Sequence, residues 1–266
     1  MAQQTHLSAE RLADLPNAAG LAAVFAGTSG DALLVAGGTN FPDKKPWEGG
    51  TKHWHDEIYV LDSPDGQWKT GFRLPRPLAH GASVSTPEGL ICIGGGDADR
   101  AFTDVFMLIW RDNKLQRREL PPLPQPVCSA AAALVGQTIY LAGGSSSTDP
   151  LASESLHQLL ALDLSAAQPK WRQLPPWPGP GRYFPVAASH GGKFYLFTGM
   201  RRASDEQGRR KIEFLTDAYC YTPGGDDSPG HWRRLADLPV AKAAAPTPAV
   251  AIDEHRLAIL GGGVAP

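Results

Sequence analysis

Hydrophobic positions in this chain fall in short runs rather than at helical spacing, and the runs come in a recurring order. A strand of small residues is followed by a tight turn and then by an apolar strand that ends in glycine. Five copies are visible: LAAVFAGTSGDALLVAGG, HGASVSTPEGLICIGGG, CSAAAALVGQTIYLAGG, YFPVAASHGGKFYLFTG and PTPAVAIDEHRLAILGGG. After four of them a variable loop leads to an aromatic strand (DEIYVLD, TDVFMLI, HQLLALD, TDAYCYT). Each of those leads to a closing strand that ends in Leu-Pro (QWKTGFRLP, KLQRRELPPLP, PKWRQLPPWP, HWRRLADLP). The glycine pairs recur at roughly 50 to 60 residues, which is the signature of a repeat architecture.

Each unit predicts four short antiparallel strands, with the turns TPEG, LVGQ and SHGGK joining neighbours as hairpins. Such a sheet cannot bury both faces alone, so the units are expected to stack radially as an all-β, kelch-type β-propeller. Trp68, Trp171 and Trp232 recur at one position of the closing strand, where a large ring can pack between sheets. The phrase RLADLP occurs at Arg234–Pro239 as the end of a complete unit, and at Arg11–Pro16 with no earlier strands of its own. The first copy is therefore expected to complete a blade begun at the other end of the chain, removing free sheet edges. Because the sequence stops at LAILGGGVAP, the expectation is one propeller domain over residues 1–266, truncated at its C-terminal end. It would hold about four complete blades and part of another, closed by or awaiting the N-terminal strand.

Composition narrows the function classes. The 29 glycines and 24 prolines suit turns between strands, and 25 basic against 27 acidic residues leave no footprint for a polyanion, so nucleic acid is not an expected partner. No apolar stretch approaches the roughly 20 residues of a membrane span, so no membrane partner is expected, and the start MAQQTHLSAERLADLP lacks a signal-peptide core. As written, the chain reads as cytoplasmic. Cys92, Cys128 and Cys220 are far apart and odd in number, which reads as three small core residues rather than disulfides or a metal site.

The stretch GGTNFPDKKPWEGGTKHWHDEIYVLD, followed by WKTGFRLPRPLAHGASVSTPEGLICIGGG, resembles the kelch-type sialic acid epimerases, and in particular their cyclically permuted mutarotase branch. The resemblance implies a six-bladed propeller, often exported in relatives, that interconverts the anomers of N-acetylneuraminate or a related sugar acid. The reaction is an acid–base ring opening that needs no cofactor and no metal. In the family a strand-end Gly-Glu followed by Gly-x-Arg supplies a proposed catalytic pair. This sequence has no such segment: its glycine pairs are followed by Thr39, Gly96, Ser145 and Val264, and the fourth unit has Gly199-Met200.

Candidate site residues follow from loop length and side-chain chemistry. The loop from Thr39 to His55 is the longest well-defined insertion between a second and a third strand, and long ordered loops are more often functional. Its Asn40, Phe41, Lys45, Trp47 and His55 suit a sugar, with a ring for C–H faces and polar groups for hydroxyls. Glu48 is its best carboxylate for acid–base work, against a plain surface charge paired with Lys44 or Lys45. His53 and His55 flank Trp54 and share a strand face, but two ligands alone make a weak metal site. His80, opening an innermost strand, reads as a second acid–base candidate or as a structural histidine. Arg182 reads as a bidentate carboxylate anchor or as a group bonding inter-blade carbonyls. Arg201, with Arg202, opens the loop RRASDEQGRRKIEF, whose alternating charges read mostly as a solvated excursion; Arg201 is also a substrate-binding candidate. Asp104 and Asp217, before aromatic strands, read as turn-holding repeat residues. Two other readings stay open: a kelch module that binds a protein or a carbohydrate without catalysis, and a copper radical oxidase. The latter lacks a Tyr/Tyr/His/His set, and Tyr219–Cys220 are adjacent rather than distant.

Overall fold

The computed structural model describes residues 10–149, 153–225 and 229–264. Four four-stranded antiparallel sheets follow one another in chain order. The first contains Phe25–Ser29, Ala32–Ala36, Glu57–Leu61 and Lys69–Arg73. The second contains Ala82–Ser85, Leu90–Ile93, Val105–Arg111 and Lys114–Glu119. The third contains Cys128–Val135, Thr138–Ser145, Leu159–Asp163 and Trp171–Leu174. The fourth contains Val186–His190, Lys193–Phe197, Ala218–Thr222 and His231–Arg234. A fifth unit supplies two short ladders, Lys242–Ala243 with Gly263–Val264 and Val250–Ala251 with Leu257–Ala258. These are the strands expected from the repeat. The first strands of successive units lie side by side, so they are the innermost strands of the propeller.

The apolar runs are continuous because each blade buries both faces. In the second blade Leu90, Cys92, Phe106 and Leu108 pack towards the first blade, with Phe25, Leu34 and Val60. The alternate residues Ile91, Ile93, Val105 and Met107 pack towards the third, with Ala132, Ile139 and Leu160. The same alternation links blades three and four through Tyr140, Phe194, Leu196 and Tyr221. A smaller cluster, including Val186, Ala218 and Ala245, joins blade four to the fifth unit. All three cysteines are buried and free, as small core residues should be.

The glycine pairs mark where one blade meets the next. The second member donates to a carbonyl just before the next innermost strand: Gly38 to Leu78, Gly95 to Val127, Gly144 to Arg182 and Gly199 to Lys242, at 2.8–2.9 Å. At Gly94, with φ +62°, a Cβ would sit 2.2 Å from the Val127 carbonyl oxygen, so only glycine fits. In the fourth unit Thr198 replaces that first glycine at φ 51°, and its Oγ1 donates to the Lys242 carbonyl at 2.6 Å. In the fifth unit the left-handed pair is Gly261–Gly262, so Gly263 rather than Val264 follows it.

Two residues beyond each of those four carbonyls lies a residue at positive φ, and Ala23 holds the equivalent place before the first innermost strand. Ala23, His80, Ser129, Phe184 and Ala244 all have φ between 53° and 60°. Their backbones form an arc: His80 N donates to Ala23 O (2.9 Å), Ser129 N to His80 O (2.6 Å), Phe184 N to Ser129 O (2.7 Å) and Ala244 N to Phe184 O (3.2 Å). Four of the five are not residues that favour the left-handed region. The arc holds them there and lies at the end of the sheets where the long loops emerge.

The N-terminal phrase at residues 11–16 forms no strand, and no ladder pairs it with another strand among the described residues. Its partner is the first blade. Trp68 Nε1 donates to Ala13 O at 2.9 Å, as Trp171 Nε1 does to Pro121 O and Trp232 Nε1 to Pro175 O at the same distance.

Candidate active site at the channel mouth

The loop from Thr39 to His55 is an ordered arm. Thr39–Asn40 pairs with His53–Trp54, and Pro46–Glu48 forms a single 3-10 turn at its tip. Alternation along 52–54 sends Lys52 and Trp54 to one face while His53 is exposed. That face meets His80, from the start of the second blade. Lys52 Nζ lies 2.9 Å from His80 Nε2 and 4.5 Å from the centroid of the Trp54 indole. Trp54 and His80 have ring centroids 5.4 Å apart, and His80 lies 5.9 Å from Phe184. Since His80 and Phe184 begin the innermost strands of blades two and four, this contact bridges non-adjacent blades. The side chains therefore converge on the axis, and Trp54, His80 and Phe184 form an aromatic floor at the mouth.

Burial governs the electrostatics of this floor. Desolvation, and then the neighbouring Lys52 charge, push the His80 pKa down to about 4, so the imidazole is neutral at physiological pH. With Lys52 donating to Nε2, the proton of neutral His80 sits on Nδ1, a buried atom with no hydrogen-bond partner. Desolvation also lowers the Lys52 pKa from its ordinary value. No carboxylate pairs with Lys52 among the described residues. Cys128, next to Ser129 of the arc, feels the Lys52 charge, yet burial dominates and raises its thiol to about 11. It is a core thiol donating to the Ser147 carbonyl at 2.7 Å.

The structure brings together only some of the residues expected from sequence. His80 is at the centre. Asn40 and His55 lie at the base of the arm and hold it: Asn40 Nδ2 donates to Asn17 Oδ1 and Gly20 O, while its Oδ1 meets His55 Nε2 at 2.9 Å. His55 Nδ1 in turn faces Glu57 at 3.3 Å. Both side chains are thus spent on positioning, not presented as substrate ligands. Phe41 is half-buried beside them, whereas Lys45, Trp47 and Glu48 lie on the arm's exposed tip, with Trp47 80% exposed. Glu48 Oε2 accepts from the Lys45 backbone N–H at 3.0 Å, so the carboxylate expected for acid–base work closes its own turn.

Arg182 departs furthest from the carboxylate-anchor expectation. Its side chain is wholly buried and its fork is taken by Asp217, at 2.7 and 2.8 Å, with a further bond to Thr198 O. Burial alone would raise the Asp217 pKa, but Arg182 and the Tyr219 hydroxyl hold it below the usual carboxylate range. Arg182 is therefore part of blade packing, as is Arg76 with Asp104 in the second unit. Arg201 bonds Glu213 at 2.8 Å across an exposed hairpin, Met200–Ser204 with Arg210–Phe214, so its charge is matched on the surface. Lys52, Trp54 and Phe184 join the site without being among the residues expected from sequence. The i, i+2 spacing of Lys52 and Trp54 and the repeat equivalence of Phe184 with His80 were the available signals.

The N-acetylneuraminate epimerase family model matches residues 3–116 and 120–265. The chain belongs to this family. It is 38% identical over 117 residues to an N-acetylneuraminate epimerase of Brucella suis, a match covering 38% of this chain and 30% of that protein. It is 39% identical over 108 residues to one of Yersinia enterocolitica, covering 36% of this chain and 26% of that protein. The chain thus spans less than a third of the length of these relatives in the matches. Among solved structures it is similar to that of YjhT, with a TM-score of 0.77 and 14% identity over 96% of this chain and 80% of that one. That likeness bears on the fold, the β-propeller of the family.

Proposed function

We propose that this chain is an isomerase that interconverts the anomers of N-acetylneuraminate or a related sugar acid, at the mouth floored by Trp54, His80 and Phe184. The observation that carries the reading is a neutral imidazole, His80, displayed at the axis beside an aromatic wall. Anomer exchange requires the anomeric hydroxyl to lose its proton while the ring C–O bond breaks. The electron pair goes to the ring oxygen, which takes up a proton, and a ketone forms at the anomeric carbon. Rotation and reclosure deliver the other anomer, with protons returned. A neutral imidazole both accepts and donates a proton, so His80 is the residue to which the shuttle is assigned. Trp54 offers a flat apolar face for the C–H side of a sugar.

The test is a proton NMR assay in which dissolved α-anomer relaxes to the β-anomer with and without the chain. Faster relaxation that His80→Phe abolishes supports the reading. Ligand binding without acceleration would instead make the protein a carbohydrate-binding module.

A further inference from the structure

We infer that Lys52 and His80 together read the anomeric carbon of a 2-keto sugar acid: Lys52 binds its carboxylate, while His80 Nε2 engages its anomeric hydroxyl. This deepens the proposed function and rests on it for the class of ligand. Three observations carry it. Lys52 is a half-buried cation with no carboxylate partner among the described residues, although many surface cations of this chain are paired. A charge in such surroundings is costly unless an anion meets it. Second, its Nζ is already within hydrogen-bond distance of a polar atom of the aromatic floor, His80 Nε2 at 2.9 Å.

Third, the spacing matches the ligand. In a 2-keto sugar acid the carboxylate and the anomeric hydroxyl are borne by one carbon, so their oxygens are close neighbours. Two protein groups 2.9 Å apart meet both at once. An aldose or a neutral amino sugar lacks the carboxylate and would leave Lys52 unmatched. The geometry also orders events. In the free protein Lys52 occupies the lone pair of His80 Nε2. A bound carboxylate draws the ammonium away and frees that lone pair for the hydroxyl proton. Lys52 is thus a specificity residue that also uncovers the base.

The experiment separates binding from turnover by using the methyl glycoside of N-acetylneuraminate, which cannot ring-open, and the methyl ester of that glycoside, which lacks the negative charge. Isothermal titration of the wild type, Lys52→Met and Lys52→Arg would be run on samples with matched thermal melts. The inference predicts that Lys52→Met weakens the glycoside at least tenfold. Lys52→Arg should retain most of the affinity, and the ester should bind wild type and Lys52→Met alike. Equal affinity of wild type and Lys52→Met for the glycoside overturns the inference, as does an ester that binds the wild type as tightly as the acid, or no binding of the glycoside by wild type. Anomerisation that persists in Lys52→Met with unchanged KM would overturn this inference while leaving the proposed function standing. Lys52-dependent binding without any anomerisation would do the reverse.

Discussion

Trp68 and Ala13 are joined by an indole N–H to carbonyl bond of 2.9 Å that spans 55 residues of sequence. It reproduces the bond by which Trp171 holds Pro121 and Trp232 holds Pro175, each the third residue of a closing phrase. Residues 11–16 therefore stand to the first blade as the end of one blade stands to the next. The Arg11–Asp14 pair at 2.8 Å likewise matches Arg234–Asp237 at 2.7 Å in the second copy of the phrase.

Replacing Trp68 by Phe keeps the ring and removes the donor. The segment should lose about 1 kcal/mol of docking. Limited proteolysis at Arg11 is expected to accelerate severalfold in Trp68→Phe without a change in the global melt. An unchanged cleavage rate would mean that the bond contributes nothing.

His80 links the mouth to pH. Its folded pKa of about 4 lies below its unfolded value near 6.5, so between those pH values the unfolded chain binds more protons. Stability is full above pH 6.5 and falls as pH drops towards 4, by up to ~3 kcal/mol for this one group. Denaturant melts at pH 7 and pH 4.5 should differ less in His80→Gln than in wild type. Identical slopes in both would show that the imidazole is not desolvated.

Arg182 is predicted to behave as a structural cation. Arg182→Ala leaves the half-buried Asp217 without its cation, though still bonded to the Tyr219 hydroxyl, and should cost about 3 kcal/mol. Sugar affinity per folded molecule should be unchanged. A variant that melts like wild type but loses ligand binding would restore the carboxylate-anchor role expected from sequence.

The blade junctions discriminate sharply between two equivalent positions. Gly94→Ala would combine a left-handed alanine, about 1–3 kcal/mol of strain, with a Cβ driven onto the Val127 carbonyl, and should fold poorly. Thr198→Gly trades the relief of a strained β-branched residue against one lost hydrogen bond and should stay within about 1 kcal/mol of wild type. Similar melts for the two variants would contradict the junction geometry.

The repeat made the blades legible, because glycine pairs, closing tryptophans and both-face apolar strands are written as residue types. The arc was not, since left-handed φ at His80, Ser129 and Phe184 leaves no mark in composition. The convergence of His80 with Phe184 depends on that arc. The arm is legible as an insertion, but nothing in its residue types separates the exposed tip, with Trp47 and Glu48, from the inward face, with Lys52 and Trp54. Arg182 carried suitable chemistry for an acid ligand, yet Asp217, 35 residues later, takes up its fork. Sequence shows the valence of a side chain and seldom which partner uses it.

The most direct test of the account is exchange spectroscopy on N-acetylneuraminate at anomeric equilibrium, which reads the interconversion rate without mixing. Wild-type protein is predicted to raise the α-to-β exchange rate well above the buffer rate. His80→Phe, folded and still binding the methyl glycoside, should return it to that of buffer. Exchange in His80→Phe equal to that of wild type would place the chemistry elsewhere and contradict the account.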